Sequence, residues 1–228
     1  MATVSNPSTS TKKESKGYVR DLVTGIHRLA FLHLKTPNEG GKFPSHKFEV
    51  HVLIEKTDTV TNQLLKKSAL AAALQLWPSV KYADLSVGVR DGDEKANLDG
   101  FPGHWFINPK SKNEVPVFGP AREPLLVDAI RSGDYARVCL TAGAYKKNLD
   151  PELAKDLLAA GRVVYIEEAQ GKKSYYRPAV TFYLNAVQLI RRGEAMGGGK
   201  VNPDLFPVEA DGGGGFGGGE PSADDSVF

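Results

Sequence analysis

Four carboxylates crowd into the ten residues RDGDEKANLD, 90 to 99: Asp91, Asp93, Glu94 and Asp99. Acids at that density could hold a magnesium ion for the phosphoryl chemistry of a nuclease. The same letters suit an exposed turn, because Asp-Gly-Asp lets short side chains bond to nearby backbone and gives the glycine the conformations other residues avoid. No second carboxylate cluster and no catalytic lysine falls at a recognisable distance, so the turn is the stronger reading. A metal-dependent nuclease using Asp91, Asp93 and Glu94 stands as the rival.

Other catalytic patterns fail. EAQGKKS has a lysine pair after a glycine but lacks the upstream glycine of a phosphate-binding loop. One cysteine, Cys139, and five scattered histidines (His27, His33, His46, His51, His104) offer no zinc spacing. The expectation is therefore a protein that is not an enzyme and uses no cofactor and no metal.

Binding accounts for more of the residues. Gripping a single strand without reading its sequence takes positive charge along the backbone track and flat aromatic faces for the bases. Suitable neighbours are Arg28 with Phe31, Lys42 with Phe43, Lys47 close by, Arg137 with Tyr135 and Tyr145, Lys146 and Lys147, and Lys172 with Tyr175 and Tyr176. Phe48 and Phe182 stand in apolar alternation and are read as core. Phe31 and Tyr183 could fill a barrel instead, and Trp105 joins the binding candidates without an assigned side.

Periodicity supplies the elements that must carry them. GIHRLAFLHLK (25 to 35) and KFEVHVLIEK (47 to 56) read as strands around the loop TPNEGGKFPS. In the second, Phe48, Val50, Val52 and Ile54 share one face, opposite Lys47, Glu49, His51 and Leu53. Residues 58 to 78 read as a helix stopped by Pro78, followed by a turn-rich stretch with a strand at His104 to Asn108. A short helix is expected at Glu123 to Ser132. In GDYARVCLTAGAYKK (133 to 147), Ala136, Val138, Leu140, Ala142 and Ala144 alternate with Tyr135, Arg137, Cys139, Thr141 and Tyr145. Asp150, Pro151 and Gly161 bracket a further helix. The strands 162 to 169 and 177 to 192 follow, joined by the loop QGKKSYY. Strands interrupted by helices, with no regular β-α-β alternation, predict a mainly β chain: an antiparallel OB-fold barrel with inserted helices.

Composition bounds the setting. At 228 residues, 41% hydrophobic and 25% charged, the chain can build one sizeable core, and no apolar run is long enough for a membrane helix. One cysteine excludes an internal disulfide and suits the cytoplasm. From Asp204 onward there are six acidic residues and no lysine or arginine, which leaves the rest with 29 basic against 21 acidic residues, a net +8. A basic body with an acidic tail is the charge split of a polyanion binder. The expected organisation is a disordered basic arm (1–17), which lacks the apolar stretch of a signal peptide, a folded domain (18–206), and a disordered glycine-rich acidic tail (207–228).

The order of GKFPSHKFEVHVLIEK, RDGDEKAN, HWFINPKSKNEVPVFGP, GDYARVCLTAGAYKK, FYLNAVQLIRRGEAMGGG and a following DLF resembles a family of bacteriophage single-stranded DNA-binding proteins, over residues 25 to 206. The resemblance implies an OB fold that coats single strands in phage DNA replication, recombination and repair, with Asp91 and Asp93 structural. A strand-annealing recombinase is a further alternative. The segment KKNLDPELAKDLLAAGRVVYIEEAQGKKSYY is longer than that pattern expects. The ending GGGGFGGGEPSADDSVF is similar to tails of replicative single-stranded DNA-binding proteins: a tether, then Asp224, Asp225 and Phe228 offered to a basic-rimmed pocket on a polymerase, helicase or nuclease. The expected partners are single-stranded DNA and such replication proteins, with no membrane; a homodimer is compatible with the sequence.

Overall fold

The computed structural model describes residues 17–40, 44–169 and 171–196. These lie in the first of two compact units, Met1–Gly197; the second, Gly198–Phe228, is outside the described residues, as are nearly all of the expected arm and the whole tail. In chain order the elements are β1 (Tyr18–Val23), β2 (His27–His33), β3 (Phe48–Glu55), α1 (Thr59–Leu74), β4 (Ser86–Val87), β5 (Val89–Asp91), β6 (His104–Ile107), β7 (Lys110–Ser111), β8 (Val117–Phe118), β9 (Pro124–Leu125), β10 (Tyr135–Leu149), α2 (Pro151–Ala159), β11 (Tyr165–Ala169) and β12 (Lys172–Arg191).

The sheet closes on itself through β10–β2–β3–β7–β12 and back to β10, a small OB-like barrel with inserted helices. Its long strands pair antiparallel, while β4, β7 and β8 lie parallel to β12. No helix among the described residues is long and apolar enough to cross a membrane.

Alternation decides what fills the barrel. Phe48, Val50, Val52 and Ile54 of β3, Leu29 of β2, Ala136, Val138, Leu140 and Ala142 of β10, and Phe182, Leu184 and Val187 of β12 all enter one buried cluster. The expected core residues Phe48 and Phe182 are both buried there. Helix α1 begins where Asp58 accepts hydrogen bonds from the Val60 and Thr61 amides at 2.9 and 3.0 Å. It closes one side of the barrel with Leu65, Ala69, Ala72 and Ala73, a face of small side chains that lets the helix approach the strands closely. Asp150 caps α2 through the Leu153 amide, with Pro151 in the first turn.

Two expectations change and one strand is added. The stretch 123 to 132 is not a helix: Pro124 and Leu125 pair with β8, and only Val127–Ala129 makes a 3₁₀ turn. The hairpin around Gly119 and Glu123 claims the backbone that a helix would use. Residues Lys172 to Tyr176 are not loop; they extend β12 and pair with β11. YVRDLV, unassigned from sequence, forms β1 on β10, its alternation broken by a bulge between Val19 and Leu22.

Candidate nucleic-acid interface

The outward side of β3 carries Glu49, His51 and Leu53, of which only His51 is not fully buried. Leu53 is covered by a second small cluster, with Ala30, Phe101 and Phe106, over which Leu98 and Met196 pack. The covering loop, 92 to 103, folds so tightly on itself that a Cβ on Gly92 would meet the Phe101 carbonyl oxygen at 2.1 Å. Buried Asp134 fixes the other cover, accepting from Arg192 Nη1 at 2.8 Å and the Gly193 amide at 3.1 Å, which leads the chain to Met196.

Phe31 sits at the margin of this layer. A bulge in β2 between Ala30 and His33 puts it at φ +47°, a conformation that bulky L-residues rarely adopt. The ring is 46% exposed, edge-on to His51 at 5.4 Å and tilted to Phe101 at 5.9 Å. Such backbone strain is characteristic of positions held for function. Lys95 Nζ stands 5.9 Å from the Phe101 ring and 5.5 Å from Phe106. Burial, with Lys95, Arg90 and Lys110 nearby and only Glu49 opposing, pushes His51 down to about 4.

Arg90 and Lys110 connect this patch to a cleft of about 630 Å³ lined also by Asn108, Tyr145, Lys147 and Thr181. An adjoining hollow adds Lys47, Lys112 and Tyr183. Five basic side chains and two tyrosines thus face one groove whose lining includes no carboxylate. Tyr145 is 44% exposed. Tyr183 rests edge-on against Tyr18 at 6.2 Å, and only glycine fits beneath, since a Cβ on Gly143 would stand 2.5 Å from the Tyr183 ring.

Glu49 fastens the groove. Nearly fully buried, it accepts from Asn38 and Ser45 at 2.7 Å and from Lys110 at 2.6 Å. Burial alone would raise its pKa, but those three bonds outweigh it and hold the group at about 2.

Phe31, Lys47, Tyr145 and Lys147 of the expected binding residues therefore line one continuous outer surface. Arg90, Lys95, Lys110, Lys112 and Tyr183 also belong to it and were not expected. The first four come from segments that, one at a time, read as turn or loop, and Tyr183 reads as barrel filling. Arg28 lies beside the patch but donates to the Glu194 carbonyl at 3.1 Å.

Tyr135 and Arg137 sit elsewhere. Ten residues of strand, about 33 Å, separate Tyr135 from Tyr145. The Arg191 guanidinium covers the Tyr135 ring at 3.4 Å, and Arg137 lines an apolar hollow with Val23 and Phe118. Tyr176 is buried, stacked on Tyr165 at 5.4 Å, and Lys146 stands over it while paired with Glu167. Tyr175 is half-buried on the same hairpin and Lys172 is exposed at its tip. Trp105 lies beneath Lys56, whose ammonium sits 4.9 Å from the ring. Asp91 and Asp93 grip that ammonium at 2.7 and 2.6 Å, and Asp93 also accepts from the Gly103 amide. The hydrogen bond from Lys56 holds both carboxyls below their usual range. These acids act as turn and clamp, and among the described residues no three His, Cys, Asp or Glu side chains come together as metal ligands. Lys42, Phe43, Asp224, Asp225 and Phe228 fall outside the described residues.

Barrel and groove together define an OB-like protein with one basic, aromatic outer face. The chain belongs to the family of the Enterobacter phage Enc34 ssDNA-binding protein, whose profile matches residues 20–215. No curated protein matches the chain. Among solved structures, the single-stranded DNA-binding protein from bacteriophage Enc34 in complex with ssDNA superposes with a TM-score of 0.52 at 16% identity, over 82% of this chain and 97% of that one. Its C-terminal truncation gives 0.48 at 16%, over 86% and 100%. The gp2.5 single-stranded DNA-binding protein of bacteriophage T7 gives 0.43 at 11%, over 75% and 92%. The first of these likenesses is one of fold.

Proposed function

We propose that this protein binds single-stranded DNA without reading its sequence, laying the strand along the outer face from Phe31 to Tyr145. The observation that carries the reading is the groove: five basic side chains and two tyrosines with no carboxylate in the lining. Phosphates would follow Lys47, Arg90, Lys110, Lys112 and Lys147, and bases would stack on Phe31, Tyr145 and Tyr183, each stack contributing about 1–3 kcal/mol. Family membership and the Enc34 complex support the same ligand.

On this reading the protein coats and protects strands in phage DNA replication, recombination and repair, in the host cytoplasm and without catalysis. Its acidic segment, with Asp224, Asp225 and Phe228, recruits replication proteins. The body's net +8 against the acidic run from Asp204 supports that second part.

Titrating a labelled oligo-dT by fluorescence anisotropy tests it. Binding should weaken steeply with salt, log K falling by about 0.7 per neutralised phosphate for each decade of salt. Equal affinity for a duplex of the same length would refute the single-strand reading.

A further inference from the structure

A second cleft of about 520 Å³ opens on the far side of the β5–β6 ladder, between that ladder and α1. Two aromatic rings line it, each with a lysine: Trp105 with Lys56 at 4.9 Å and Tyr82 with Lys66 at 5.1 Å. Asn62 and Gln63 of α1 add amide donors and acceptors. Flat rings and the Lys66 ammonium offer bases and a phosphate the chemistry of the outer groove, while Lys56 is held by Asp91 and Asp93.

The two clefts are joined by alternation. Along β5, Arg90 faces the outer groove while Val89 lines the second cleft. The neighbouring strand divides in the same way: Phe106, opposite Arg90, lies in the aromatic layer beside His51, and Trp105, opposite Asp91, lines the second cleft against α1. Among the described strands β5 pairs only with β6, so its other edge is open. A chain lying on Arg90 needs to cross one strand edge to reach Trp105. The carboxylates on that route, Asp91 and Asp93, both bind the Lys56 ammonium, which offsets one of their two charges.

We infer that the cleft bounded by Trp105, Tyr82, Lys56 and Lys66 is a second nucleotide-binding subsite, filled by the same single strand as it turns over the open edge of β5. This rests on the outer groove binding single strands. It makes the footprint of one protomer longer than that groove alone.

Trp105 reports on the subsite directly once Trp77, the other tryptophan, is replaced. In a Trp77→Phe protein, an oligo-dT of about 16 nucleotides should quench the remaining fluorescence, whereas one of about 5, sufficient for the outer groove, should bind with little quenching. Lys66→Glu, an exposed change on α1, should weaken the longer oligonucleotide about tenfold and leave the shorter one unchanged. If anisotropy shows the longer oligonucleotide bound while Trp105 stays unquenched and Lys66→Glu is silent, the second subsite is refuted and the outer groove stands. Equal quenching by both lengths refutes the path over β5. If neither oligonucleotide binds, the failure is that of single-strand binding itself.

Discussion

Glu49 and Lys110 face each other across the β3–β7 ladder, with the carboxylate almost fully buried and the ammonium 2.6 Å away at the floor of the groove. The pair makes a buried acid on the outward side of β3 into the fixture of a binding surface. Asn38 and Ser45 bond to the same carboxylate, so the β2–β3 loop and the groove lysine share one anchor.

Removing that charge should loosen both. Glu49→Gln is expected to cost about 1–3 kcal/mol, since it leaves buried donors short of an acceptor. Its pH signature is specific. The folded carboxyl titrates at about 2 against an ordinary 4.5, so its stabilisation is complete above pH 4.5 and is lost as pH falls toward 2. Thermal melts by circular dichroism should show the wild-type protein losing this increment over that window and Glu49→Gln lacking it.

His51 acts in a higher window. Its pKa is lowered from 6.5 to about 4, so between these values the unfolded chain takes up a proton that the folded protein refuses. Stability should therefore fall as pH drops from 6.5 to 4, and His51→Gln should flatten that segment of the melting curve. A wild-type Tm that is constant from pH 6.5 to 4 would contradict the buried, neutral imidazole.

Aromatic truncations should separate binding from folding. Phe31→Ala and Tyr145→Ala remove rings that are 46% and 44% exposed and should each cost about 1–3 kcal/mol of oligo-dT affinity with little change in Tm. Phe182→Ala removes a core ring and should cost about 3–5 kcal/mol of stability. Unchanged affinity in both exposed variants would exclude these rings as base platforms.

Charge removal in the groove should appear in the salt dependence. Lys112→Ala and Lys147→Ala should each lower the slope of log K against log salt by about 0.7 and weaken all sequences alike. Arg137→Ala, on a different part of the barrel, should leave the slope unchanged.

Deleting residues 220–228 removes Glu220, Asp224 and Asp225 from a chain whose remainder is basic. The deletion should raise affinity for oligo-dT at low salt, with the gain screened as salt rises, and should abolish capture of a replication partner. Identical titrations and identical partner capture for the two proteins would remove the tail from the mechanism.

The long strands were legible because their periods are clean: β3 and β10 alternate as the sequence predicts, and Asp58 and Asp150 cap the helices that they precede. The helix expected at 123 to 132 failed because tertiary pairing with β8 outbid a weak local preference. Tyr176 looked like a platform in a loop, yet hairpin pairing turns it inward against Tyr165.

The amino-acid sequence by itself determined the barrel class, the inward-facing residues, the turn nature of the Asp91–Asp93 acids and the opposition between a basic body and an acidic tail. All of these are properties of short periods, local hydrogen bonds or summed charge. Which basic and aromatic residues share one surface was decided only by the closed sheet. Barrel closure brings Arg90, Lys110 and Lys147 from three strands to the lining of one cleft, while twist and distance along β10 carry Tyr135 away from Tyr145.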